Sequence, residues 1–141
     1  MIEQENNKCV YCKEPLSKKG EYWVCNTCKI VDVEATGYKT MKESVFDEKG
    51  EIAIFLKQTS AALEKYDDDG FWKRAVSGTL SEFDNKLIYF SSKFHIAKRV
   101  IEESMPSCDK FDKLLQQELY QILTLMESDT AKELLKENYH G

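Results

Sequence analysis

Cys9 and Cys12 form one Cys-x2-Cys pair, Cys25 and Cys28 form a second, and twelve residues separate the two. Thiolates are good ligands for zinc, and a short Cys-x2-Cys turn curls so that both sulfurs leave from one side. The intervening segment is long enough to return as a hairpin and bring the second turn opposite the first, closing a tetrahedron of sulfurs. With every position filled by protein, none is open for water, so the spacing predicts one structural zinc ion and not a catalytic one. Two disulfides are the competing arrangement. The start of the chain, Met1 to Asn7, is polar and acidic, unlike a secretory leader, and this predicts a cytoplasmic, reducing setting in which disulfides are disfavoured. A redox Cys-x2-Cys needs a strand-to-helix setting that lowers one thiol's pKa, whereas polar turn residues surround both pairs here. Four thiolates on a divalent cation leave a net charge of about −2. Lys13 and Lys29, each directly after the second cysteine of a pair, are placed to offset part of it.

The segment Cys9-Val-Tyr-Cys12, followed by Gly20-Glu-Tyr-Trp-Val-Cys25-Asn-Thr-Cys28-Lys-Ile-Val, resembles the zinc ribbon at the amino end of general transcription factor IIB and of other transcription and replication proteins. The resemblance covers residues 7–36. It implies three short antiparallel strands around one zinc ion and, as that factor's ribbon docks on RNA polymerase, a ribbon that docks on a protein of a transcription or replication machine. On that implication Tyr11, Tyr22, Trp23 and Lys29 are the partner-binding residues. Two features depart from the family: Lys13 and Lys29 replace the glycine that commonly follows each knuckle, and the chain is too short for the two cyclin-like repeats of that factor.

The elements that must position the cysteines are readable around them. Tyr22-Trp23-Val24 and Ile30-Val31-Asp32-Val33 read as strands on either side of the second knuckle, with Pro15 and Gly20 marking the turn between the pairs. A unit of this size cannot bury enough surface to fold alone, and metal binding supplies the deficit. Thr36-Gly37 marks a linker, which divides the chain into a ribbon over residues 1–40 and a helical bundle over 41–141. In the second part Ile52, Phe55, Leu56, Thr59, Leu63 and Tyr66 recur at helical steps, and Asp67-Asp68-Asp69-Gly70 is expected to end that helix. A short helix closed by Gly78 follows. Phe83, Leu87, Phe90, Phe94, Ala97 and Ile101 define a long helix over 81–103, capped by Ser81 with Asp84 three residues on. After Pro106 come Phe111, Leu115, Leu119, Ile122 and Met126, then Ala131, Leu134 and Leu135. The fold class is thus a small zinc ribbon followed by an all-α bundle of four to five helices.

The 141 residues carry 20 Lys plus Arg against 25 Asp plus Glu, a net charge of −5 that lacks the global positive field of a non-specific phosphate binder. Residues 73–99 run against this trend, with Lys73, Arg74, Lys86, Lys93, Lys98 and Arg99 facing only Glu82 and Asp84. Lys86, Lys93, Lys98 and Arg99 are therefore the candidate phosphate-binding residues of a competing reading, direct nucleic-acid binding by the basic side of helix 81–103 together with the ribbon. The phenylalanines of that helix stand at core spacing and are read as core, not as a base-stacking surface. The acidic turn fails as a calcium loop, since Lys65 and Val76 occupy positions that need acids. No phosphate-cradling glycine loop or dinucleotide fingerprint is present, and nothing in the sequence brings His95 and Cys108 together. The sequence reads as a non-enzymatic regulatory or accessory protein.

Overall fold

A computed structural model of the chain describes residues 8–20, 22–36, 50–104 and 112–139. Three short strands come first: β1 (Ser17–Lys19), β2 (Tyr22–Cys25) and β3 (Ile30–Val31). They pair antiparallel in the order β1-β2-β3, with Val24 opposite Ser17 on one side and Val31 on the other, and Cys25 opposite Ile30. The helices are α1 (Val33–Thr36), α2 (Glu51–Tyr66), α3 (Trp72–Ser77), α4 (Glu82–Ser104), α5 (Lys113–Met126) and α6 (Asp129–Tyr139). The fold is the expected ribbon followed by helices. The linker at Gly37, the boundary near Thr40, and Pro106, Cys108, Phe111 and His140 lie outside the described residues. Among the described residues no helix is long and apolar enough to cross a membrane.

Two local features differ from the sequence expectation. The third strand stops at Val31: the Asp32 amide still donates to the Trp23 carbonyl at 2.7 Å, but the Trp23 amide turns to Thr36 Oγ1 at 2.9 Å and Asp32 Oδ1 caps α1, accepting the Ala35 amide at 2.8 Å. The acidic turn does not end the helical path. The backbone passes through one π-helical turn, Asp67–Phe71, directly into α3. Such a turn advances five residues, which sets Tyr66 and Phe71 on one side with ring centroids 5.8 Å apart.

The expected stops and caps are present. Gly78 ends α3 in the left-handed conformation, φ 73°, and the Thr79 amide donates to the Arg74 carbonyl at 2.9 Å. At the start of α4 the Asp84 amide donates to Ser81 Oγ at 3.0 Å, and the Ser81 amide returns to Asp84 Oδ2 at 2.8 Å. Asp84 is buried, and its carboxylate also accepts Arg74 Nε at 2.9 Å, Arg74 Nη2 at 2.8 Å and the Tyr66 hydroxyl. One carboxylate thus fastens the end of α2, α3 and the start of α4, its charge balanced by a forked guanidinium.

Leu87, Phe90, Phe94, Ala97 and Ile101 of α4 are buried, while Phe83 packs at the margin. Phe94 stacks on Phe90 at 6.1 Å and meets Phe55 of α2 edge-on at 5.9 Å, so these rings are core. At the centre lies α5, whose buried residues include Leu115, Gln116, Leu119, Tyr120, Ile122 and Leu123 and so wrap most of its circumference. It packs against β3, α2, α4 and α6.

The sheet joins this core because strand side chains alternate between faces. Tyr22, Val24 and Val31, together with Val33 of α1, turn into the helical core. Cys25 and Ile30 turn the other way and form a second cluster with Cys9 and Leu16, on which Trp23 packs. Gln116 is fully buried at the centre, and its amide makes no hydrogen bond among the described residues. An unsatisfied buried amide costs about 1–3 kcal/mol, so Gln116→Met is expected to raise the unfolding free energy by about 1–2 kcal/mol in urea denaturation. A loss of stability would show that the amide is satisfied.

Candidate metal centre

The two knuckles are built alike. In the first, the Lys13 amide donates to the Cys9 carbonyl at 2.9 Å; in the second, the Lys29 amide donates to the Cys25 carbonyl at 2.8 Å. Both lysines adopt left-handed backbone, φ 66° and 61°, the conformation for which glycine is favoured. The first knuckle rests on an antiparallel bridge between Lys8 and Pro15, the second on the β2–β3 pair. All four sulfurs lie within 4.8 Å of one another, with Cys9 and Cys28 at 3.8 Å and Cys12 and Cys25 at 3.4 Å. No pair stands near the disulfide bond length of about 2.05 Å, and all four are free thiols. A tetrahedron with metal–sulfur bonds of about 2.3 Å has edges of about 3.8 Å, so the cage has the size of one ion.

Backbone amides hold the sulfurs in place. Tyr11 N–H points at Cys9 Sγ at 3.4 Å and Cys28 N–H at Cys25 Sγ at 3.3 Å. Burial acts to raise the Cys9 thiol, but hydrogen bonds, first from the Cys12 and Tyr11 amides, bring it down to about 7. Burial pushes the Cys25 thiol up. Hydrogen bonding to Cys12, followed by desolvation and the other sulfurs, pushes Cys28 up to about 12. A divalent ion stabilises all four thiolates together and binds by displacing their protons.

The cage is tied to the bundle through Tyr120 of α5. Its hydroxyl donates to Asn26 Oδ1 at 3.1 Å, inside the second knuckle, and Asn26 Nδ2 donates to Ser17 Oγ at 3.0 Å. Lys19 and Lys29 place their ammonium groups 5.1 and 5.8 Å from the centre of the Tyr120 ring. Lys19 also pairs with Glu127, just past the end of α5, at 3.2 Å. Sequence reasoning missed Tyr120 because it lies off the Leu115–Leu119–Ile122 stripe. The signal that could have found it is a second stripe, Gln116, Tyr120 and Leu123, at steps of four and three.

The expected partner-binding residues have separate fates. Tyr22 is 2% exposed and belongs to the core, so its side chain is not presented at the surface. Trp23 is half-buried with Lys18 over its ring at 5.8 Å, and Lys29 is exposed but leans on Tyr120. Tyr11 is 44% exposed beside Val10 at 45%, and Lys113 of α5 lies 4.8 Å from its ring. Leu114, the next residue of α5, is 54% exposed and unforeseen from the sequence.

The candidate phosphate-binding residues do not share a face. They form two pairs instead: Lys86 and Lys93 line a groove with α5 and α6, while Lys98 and Arg99 line a hollow along α4 with His95, Lys98 also reaching a groove with α2. Lys86, Lys98 and Arg99 pair with Glu82, Glu102 and Glu103 at 3.6, 3.9 and 3.6 Å, and Lys93 lies over Tyr89 at 4.5 Å. His95 lines a groove between α2 and α4, apart from the cysteines. Comparison with protein-family models, curated proteins and solved structures finds no match to the chain.

Left-handed backbone costs a non-glycine residue about 1–2 kcal/mol, partly cancelled by glycine's larger unfolded-state entropy. Lys13→Gly is expected to gain about 0.5–1 kcal/mol in denaturant unfolding of the metal-loaded protein, and Lys29→Gly less, because it also loses the Tyr120 contact; a loss at Lys13 would contradict the knuckle geometry. Protons compete with the cation for every sulfur, so affinity must fall as pH falls. Chelator competition at pH 7.5 and pH 5.5 is expected to show far weaker retention at the lower value, and equal retention would mean the thiolates are not the ligands.

Proposed function

We propose that the protein is a non-enzymatic, zinc-binding accessory or regulatory protein whose ribbon docks on a protein of a transcription or replication machine. Zinc is favoured by the donor set: four thiolates in a cage sized for one ion suit a soft tetrahedral site and leave no position for substrate. The ion's role is to hold the two knuckles together. The machine is suggested by the ribbon resemblance of residues 7–36.

The observation that carries the docking reading is the exposed corner of the first knuckle, where Val10 and Tyr11 stand on a turn between two cage cysteines and Lys113 of α5 lies against the Tyr11 ring. Apolar side chains on a rigid turn can bind a partner with little ordering cost. Direct nucleic-acid binding is less well supported, because its four cations fall in two separate hollows and three are paired to neighbouring acids.

The test has two arms. Metal analysis is expected to find one zinc per chain. Affinity capture from extracts of the source cells is expected to retain polymerase or replication subunits on the native protein and to lose them on Tyr11→Ala/Leu114→Ser, with zinc content and helical signal unchanged. Retention of the same proteins by both forms would overturn the corner as the docking surface. Fluorescence anisotropy with single- and double-stranded DNA and RNA is expected to show no salt-sensitive binding. Micromolar binding that weakens in Lys86→Gln/Lys93→Gln would favour the nucleic-acid reading instead.

A further inference from the structure

A second apolar surface contains no residue of the ribbon. Between the end of α2, the π-helical turn, α3 and the middle of α4 lies a groove of about 540 Å³. Its inner wall includes Leu63, Phe71 and Leu87, buried side chains of the fold. Its lips are Trp72, 62% exposed, and Ile88, 45% exposed. Two further residues prolong these lips at four-residue helical steps: Val76 follows Trp72 along α3, and Ile96 follows Ile88 and Ser92 along α4. Both are exposed. An exposed tryptophan beside an apolar cleft is the residue type that most often anchors a protein–protein contact.

The charges on the groove decide among its occupants. Glu64 and Asp67 line it, neither is ion-paired among the described residues, and no lysine or arginine lines it. Arg74, the nearby guanidinium, is committed to Asp84. A nucleic acid or an anionic lipid surface would set its phosphates against these two acids. A second copy related by a twofold axis would bring the two pairs of acids together, in a chain whose net charge is already −5.

A basic amphipathic helix meets both demands. We propose that the groove docks such a helix from a partner protein, its apolar face seated between Trp72 and Ile88 and its flanking Lys or Arg side chains paired with Glu64 and Asp67. This is the helix-in-groove mode, in which apolar anchors at i, i+3, i+4 and i+7 enter a cleft and rim charges set orientation. The surface is separate from the ribbon corner, and the proposal stands or falls apart from the function proposed for that corner.

The test uses the full, zinc-loaded chain and two fluorescein-labelled helical peptides with leucines at those anchor spacings, one with lysine at all other positions and one with glutamate. The lysine peptide is expected to bind with a micromolar or tighter Kd and the glutamate peptide not to bind. Trp72→Ser is expected to weaken the lysine peptide about tenfold or more. Glu64→Lys/Asp67→Lys, at exposed positions that leave the fold intact, is expected to reverse the preference. Tyr11→Ala/Leu114→Ser is expected to leave peptide binding unchanged. Equal binding of the lysine peptide by native and groove-substituted proteins, or by both peptides to the native protein, would overturn the proposal. So would a native dimer in sedimentation that Trp72→Ser dissociates, because the groove would then belong to a second copy.

Discussion

Adjacent residues in β2 face opposite sides of the sheet, and the whole molecule depends on what each side meets. Cys25 and Trp23 face the cysteine cluster; Val24 and Tyr22 face the helices. β3 repeats the division, with Ile30 toward the cysteines and Val31 toward α5. A three-stranded ribbon has too little apolar surface to close a core of its own. Here one face is completed by four sulfurs placed to bind an ion and the other by a helical bundle that covers it with α5. The cysteine cage and the bundle are therefore built on opposite faces of one sheet, linked by the strand period of two.

Tyr120 makes the same link through polar atoms. Its hydroxyl reaches Asn26 between the ligands Cys25 and Cys28, and its ring carries the ammonium groups of Lys19 and Lys29. Lys29 thus occupies the strained left-handed position of the knuckle while its side chain reaches across to α5. A glycine there would relax the backbone but remove that contact. The cost of the left-handed lysine and the gain of its reach oppose each other at a single residue.

The cysteine ligands were legible in the sequence because ligand chemistry and knuckle geometry are local: four sulfurs at two short spacings leave few arrangements. The helices were legible for a similar reason, since a stripe such as Leu87, Phe90, Phe94, Ala97 and Ile101 reports its own buried side. Tyr22 shows where local reading ends. Its strand was found, but alternation yields two faces, and only the presence of α5 determines that the Tyr22 face is inward. The β-branched neighbours of Asp32 point to a strand, although a short carboxylate is also a good helix cap, the role it takes for α1. The acidic turn was read as a stop because Gly70 and three aspartates break helices, yet the π-helical turn absorbs them and keeps Tyr66 and Phe71 together. Of the basic residues of α4, Lys86 and Lys93, seven apart, share a groove as their helical spacing implies, whereas Lys98 and Arg99 fall in another hollow further along the helix.

The most direct test of the linkage between metal and bundle is hydrogen exchange measured residue by residue with the ion bound and after its removal. If the two-faced sheet joins them, stripping the metal will release the amides of β2 and β3 and, with them, those of α5 around Leu119 and Leu123. If α5 keeps its protection while only the ribbon exchanges, the bundle stands by itself and the shared core contributes nothing to its stability.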